Sequence, residues 1–242
     1  GWRGPARYGE PPSIAADAWA ALAFASIARK DGRSRDAALA ARSLLLTMQR
    51  ADGSFGYVSR DEPPSAYATM LGAWALLVGE TLDGDARAHA ARTSAFASLR
   101  ALFRASPAAV RDLAGFEEQT LWVLLEARRD GGDKTGDDVL QTGARDLVQR
   151  CGLDRKTHAC ARPLYEDSEV KLSAGPEAGA IVALWHPWVT AAAARLARSD
   201  VELAPDLRAD LDAIARWGIA MIEPSIDALA QVPEYRLAIG RA

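Results

Sequence analysis

Apolar segments of helical length, cut apart by Gly, Asp and Pro, run through this chain from one end to the other. In each, apolar residues recur at three- and four-residue spacing, the pattern of an amphipathic helix, and no stretch alternates with the period of two that a strand needs. About eight such segments can be marked off. The first runs from near Ser13 to Arg29, with Ile14, Ala18, Ala21, Leu22 and Ala25 on one face, and Asp31-Gly32 stops it. The second covers Ser34 to Arg50 and ends at Ala51-Asp52-Gly53. Ser65, a good N-cap, opens a third at Ala66 to Glu80, the most apolar of the set. Asp83-Gly84-Asp85 precedes a fourth at Ala86 to Arg104, and Ser106-Pro107 opens a fifth that runs through Ala127. A sixth spans Asp137 to Arg150, after Gly131-Gly132-Asp133. From Cys151 to Pro176 no period is sustained, which predicts a long polar connection. Glu177 to Trp185 and Pro187 to Arg198 form one kinked helix or two, because Pro187 cannot donate to a helix ladder. The last segment runs from Pro205 to Ile222, and the tail through Pro233 reads as irregular.

Composition agrees with the pattern. There are 51 alanines among 242 residues, and β-branched residues are sparse, so the chain is built for helices. Consecutive helices joined by short loops become antiparallel neighbours. The expected fold is therefore all-α, a set of antiparallel helix pairs in a single domain over 1–242, itself a possible part of a longer chain. The start at Gly1, without a methionine or a charged-then-apolar leader, points to a processed product or a piece of a longer polypeptide.

Charge and cysteines narrow the function classes. A net charge of -3 offers no broad basic face, so nucleic acid is not an expected partner. Of the 29 basic residues 25 are Arg, which reads as the coding habit of a GC-rich bacterial genome rather than as a phosphate-binding signal. The most apolar run, Met70 to Val78, is about half the roughly 20 residues of a membrane span. Cys151 and Cys160 are spaced so that a small loop-closing disulfide is permitted but not required; free thiols in a cytoplasmic protein are the expected state. With His158 they form Cys-x6-His-x-Cys, which matches no common zinc pattern and lacks a fourth ligand, so neither a metal nor another cofactor is expected.

The most specific stretch is Gln49-Arg50-Ala51-Asp52-Gly53-Ser54-Phe55, which reads Gln-x3-Gly-x-Phe. A glutamine at a helix C-terminus can bond to backbone groups of the next turn, Gly53 can supply the positive φ that ends the helix, and the aromatic can lie back over the helix end. The motif resembles the Gln-Trp repeat of the squalene cyclase and prenyltransferase superfamily, with Phe55 where that family usually has Trp. Trp185-His186-Pro187-Trp188-Val189-Thr190 is similar to a helix-start phrase of bacterial toroid-repeat proteins. The resemblance covers about Asp36 to Leu77 and, more loosely, Val182 to Ala197. It implies a complete or partial α/α toroid, in which inner helices ring a cavity and loops at one end line a site. The chain departs from the family's chemistry: no Asp-x-Asp-Asp run occurs, the zinc ligands of the protein prenyltransferases are not found, and a closed ring of six helix pairs usually takes more residues.

Candidate chemistry gathers in the connection Tyr165-Glu166-Asp167-Ser168-Glu169-Val170-Lys171. Asp167 and Glu169 are candidate catalytic carboxylates, since two such groups some 5 to 10 Å apart can act as acid and base on a glycosidic bond; the alternative is a solvated acidic loop. His186, between two tryptophans, is a candidate proton shuttle or else a capping or packed histidine. Phe55, Tyr57, Tyr165, Trp185 and Trp188 are candidates for stacking on a sugar ring or lining an isoprenoid channel. Core packing accounts for Trp19, Trp74, Trp122 and Trp217. Glu117 and Glu118 are neighbours on one helix, about 100° apart, so at most one is expected to face any ligand, and Asp17 is expected on the surface. Two functions stay open: binding of a small isoprenoid-like molecule or a glycan with lyase, isomerase or hydrolase activity, and a non-catalytic helical-repeat binding or interaction domain.

Overall fold

The computed structural model describes residues 13–28, 32–105, 116–131, 134–157, 159–160 and 188–230. They are helical apart from connections and one minimal two-stranded ladder. The chain divides into two compact units, Gly1–Val110 and Arg111–Ala242.

The first unit holds α1 (Ile14–Ile27), α2 (Gly32–Met48), α3 (Ala66–Glu80) and α4 (Ala86–Ala105). Ser13 and Ser65 start α1 and α3 from extended backbone, and each hydroxyl accepts the N–H three residues on, from Ala16 and Ala68. α1 packs on α2, α3 on α4, and α1 on α3. Leu45, Phe55, Met70, Leu71, Leu76 and Leu99 are fully buried between them. Asp17 is buried rather than on the surface, at 4 % exposure. The periodicity explains this: position 17 lies three after Ile14 and four before Ala21, on the face that packs. Trp19 is not a core residue either. It is 40 % exposed and meets Trp74 edge-on at 5.9 Å, while its indole N–H donates to the Tyr67 hydroxyl at 3.2 Å.

The Gln-x3-Gly-x-Phe segment ties the two helix pairs of this unit together. Gln49 Nε2 donates to the Gly53 carbonyl at 3.0 Å and to the Ala91 carbonyl of α4 at 2.8 Å. Gly53 has φ +84°, and a β-carbon there would lie 2.5 Å from the Ser94 carbonyl oxygen, so only glycine lets the turn dock on α4. The Phe55 ring packs on α3 at Gly72, where a β-carbon would stand 2.6 Å from Phe55 Cε2. Its N–H donates to Thr69 Oγ1 at 3.0 Å, and its carbonyl accepts from Ser65 N at 2.8 Å.

Arg42 supplies the second tie. Its guanidinium reaches from α2 across α3, donating to Asp83 at 2.6 and 2.7 Å and to the Gly79 carbonyl at 3.0 Å. These bonds hold the Asp83 carboxyl down at about 2.

The second unit holds α5 (Phe116–Gly131), α6 (Asp137–Cys151), the ladder of β1 (Leu153–Asp154) with β2 (Ala159–Cys160), α7 (residues 188–198) and α8 (Pro205–Ala230). α5 packs on α6, and α6 on α8. A β-carbon at Gly143 would stand 2.3 Å from Leu121 Cδ2, so α5 and α6 approach closely there. Gly152, at φ +56°, ends α6 in the left-handed conformation. Where free thiols were expected, Cys151 is disulfide-bonded, and the chain has one other cysteine, Cys160. Arg208 on α8 closes the C-terminus of α7 by donating to the carbonyls of Ala197, Ser199 and Val201 at 2.6 to 2.8 Å. α8 continues past the expected stop at Ile222 and through Pro224 to Ala230. Proline removes one ladder bond, but its fixed φ near −65° is itself helical.

Candidate functional site

Two helices of the second unit turn matching faces toward one cleft. On α5 the lining residues are Trp122, Leu125, Arg128 and Arg129; on α7 they are Ala191, Ala194, Arg195 and Arg198. Their spacings of three, four and seven place each set along one side of its helix. The space between is about 580 Å³, and Ser199 and Asp200 also line it. Its floor is Trp122, Leu125 and the two alanines, whose small side chains leave the room.

The guanidiniums are held in different ways. Arg128, almost fully buried, chelates Asp137 at the start of α6 with Nε and Nη2 at 2.8 and 3.1 Å, and its Nη1 donates to Asp200. The Asp137 bonds first, then that to Asp200, raise its pKa beyond the ordinary guanidinium value, and Arg128 in turn holds the Asp200 carboxyl low. Arg195 lies over the Trp122 ring at 5.3 Å and pairs with Glu126 of α5. Arg129 shares the same carboxylate at 2.6 Å. Arg198 is exposed and pairs with no carboxylate among the described residues. Trp188 meets Trp122 edge-on at 6.1 Å, so the floor indole is fixed from two directions.

Of the residues expected from the sequence, Trp188 meets the lining residue Trp122 but does not itself line the cleft. Phe55 and Tyr57 belong to the first unit. Phe55 is fully buried against Gly72, which leaves no ring face for a ligand. Tyr57 is half exposed, and its carbonyl accepts from Ile14 N at 2.9 Å, which fastens its backbone to the start of α1. Asp167, Glu169, Tyr165, Trp185 and His186 lie outside the described residues. Trp122, assigned to the core in advance, is half-buried and faces the cleft. An Arg-rich composition masks the signal in the sequence, the phrase Ala191-x2-Ala194-Arg195-x2-Arg198, which puts space and charge on one helix face.

Glu117 and Glu118 share a partner within the fold. Both are buried, and both reach the same atom, Arg150 Nη2, at 2.9 and 2.8 Å. Side chains with three rotatable bonds span the 100° that separates the two positions on the helix. Neither lines the cleft. A second hollow, in the first unit, is bounded by Asp52, Pro64 and the Ala97, Ala101 and Ala105 face of α4. Its one carboxylate, Asp52, accepts from the Ser54 hydroxyl at 2.6 Å and the Ser54 amide at 3.0 Å.

Among the described residues no group of three His, Cys, Asp or Glu could hold a metal ion, and no helix is long and apolar enough to cross a membrane. No family model, no curated protein and no solved structure matches this chain.

Proposed function

We propose that this chain is a non-catalytic helical module that binds a small molecule in the cleft between α5 and α7. The observation that carries this reading is the pairing of one face of each helix around an apolar floor with a polar rim. Its volume, about 580 Å³, falls in the range of small-molecule sites. The described lining holds no histidine or cysteine, and the carboxylates at the cleft, Glu126 and Asp200, are each engaged by arginine. That composition suits holding a ligand better than moving a proton. The kinship with α/α toroids belongs to the same reading and is supported by the Gln49 turn, which fastens one helix pair to the next. The disulfide at Cys151 supports an oxidising compartment rather than the cytoplasm.

The test is to fill the cleft. Ala194→Trp places an indole in the space, while Ala97→Trp does the same in the hollow of the first unit. Titration with 1-naphthoate, followed by calorimetry, is expected to show saturable binding that Ala194→Trp abolishes and Ala97→Trp leaves intact. Binding that survives Ala194→Trp would overturn the assignment.

A further inference from the structure

Arg128, Arg129, Arg195 and Arg198 line the cleft, and carboxylates engage the first three. Arg128 is held by Asp137 and Asp200, and Arg129 and Arg195 both reach Glu126. Arg198, one turn beyond Arg195 on the same face of α7, is left facing solvent at the mouth of the space with all its donors available.

An apolar floor with a single uncompensated guanidinium at its rim describes its ligand by complement. We infer that the cleft takes a small monoanion with a flat apolar body, its one carboxylate, sulfonate or phosphodiester on Arg198 and its body against Trp122, Leu125, Ala191 and Ala194. A neutral molecule leaves the guanidinium unused. A second anionic charge would meet Arg129 or Arg195 in competition with Glu126, a nearly buried carboxylate that both of them hold. The inference rests on the cleft being the binding site, as proposed above, and adds the charge and shape of what binds.

Three probes that share one ring system separate the possibilities: 1-naphthol, neutral at pH 7, 1-naphthoate, a monoanion, and 1-naphthyl phosphate, a dianion at pH 8. The naphthoate is expected to bind about tenfold tighter than the naphthol, the ratio of one charge-assisted bond. Arg198→Gln should reduce that preference to less than about twofold while leaving naphthol affinity unchanged, which also reports that the variant is folded. The phosphate should gain no more than about twofold over the naphthoate. Equal affinity of naphthol and naphthoate, or a preference that survives Arg198→Gln, overturns the inference and leaves the cleft assignment standing. A phosphate that binds tenfold tighter than the naphthoate overturns the monoanion preference. Failure of all three probes, or binding that Ala194→Trp does not touch, overturns the cleft assignment itself.

Discussion

Replacing Arg42 by Met isolates what one buried guanidinium does for the first unit. The substitution keeps most of the hydrocarbon stem that packs at Gly79, where a β-carbon would stand 3.1 Å from Arg42 Cδ, and removes only the charged head. Three contributions to stability are then lost or changed. Holding the Asp83 carboxyl at about 2 instead of 3.8 corresponds to about 2 kcal/mol, and because that side chain is 30 % exposed, screening reduces it to about 1–1.5 kcal/mol. The Gly79 carbonyl loses its bond from the guanidinium, about 1 kcal/mol. The 3.4 Å contact with Asp85 adds a few tenths. Arg42→Met should therefore cost about 2–3 kcal/mol, below the range for a fully buried pair because both aspartates keep contact with water. The pH dependence has a definite sign. A carboxyl whose folded pKa is depressed stabilises above its unfolded pKa, so the Asp83 share is complete above about pH 4 and is lost as pH falls toward 2. Urea unfolding of the full chain, with hydrogen exchange of α2 and α3 peptides to separate this unit from the other, should show the gap between wild type and Arg42→Met narrowing by about 1 kcal/mol between pH 7 and pH 2.5. Asp83→Asn completes a double-mutant cycle. A gap that does not change with pH, together with a coupling energy under about 0.5 kcal/mol, would refute the reasoning.

Gly72→Ala should cost about 1–3 kcal/mol in urea unfolding, since its methyl would stand 2.6 Å from a ring with no room to move, and Phe55→Leu should recover part of the loss. Gln49→Ala removes two bonds to carbonyls and should cost about 1–2 kcal/mol. Gln49→Glu, an acceptor set against two acceptors, should be at least as damaging; a Glu variant as stable as wild type would discredit the donor role of Gln49. Reducing the disulfide, or Cys151→Ala, should lower stability by about 2–3 kcal/mol for so short a loop. Alkylation of the unreduced native protein should modify no thiol, and two modified cysteines would contradict the bonded state.

Helix existence was legible wherever a cap and a period coincided. Ser65 and the run that follows predict α3 at the limits the structure shows, because the side-chain cap and the apolar face are both local. Asp17 was legible too, had its polarity not been weighed above its register. The cleft was not. Residue spacing puts Ala191, Ala194, Arg195 and Arg198 on one face of α7, but nothing local says that this face meets Trp122 and Leu125 across a gap. An arginine-rich composition also hides which guanidinium lacks a carboxylate, since that depends on partners as distant in sequence as Asp200 is from Arg128. The joint approach of Glu117 and Glu118 to Arg150 escaped for a similar reason: helical angle fixes where side chains start, while their length decides where they end.

The connection from Gln49 to Ser65 is long enough to look like the natural place to cut the chain, carry an inserted tag or join new termini. Its backbone says otherwise. Arg50 N bonds the Ser54 carbonyl, Phe55 bonds at both its amide and its carbonyl, the Tyr57 carbonyl receives Ile14 N, and Val58 N donates to Glu62 Oε2. A protease cuts chain that opens locally, and the backbone ties along this segment oppose such opening. It should resist nicking under conditions that cleave ordinary surface loops, and an insertion between Gly53 and Phe55 should unfold the unit instead of decorating it.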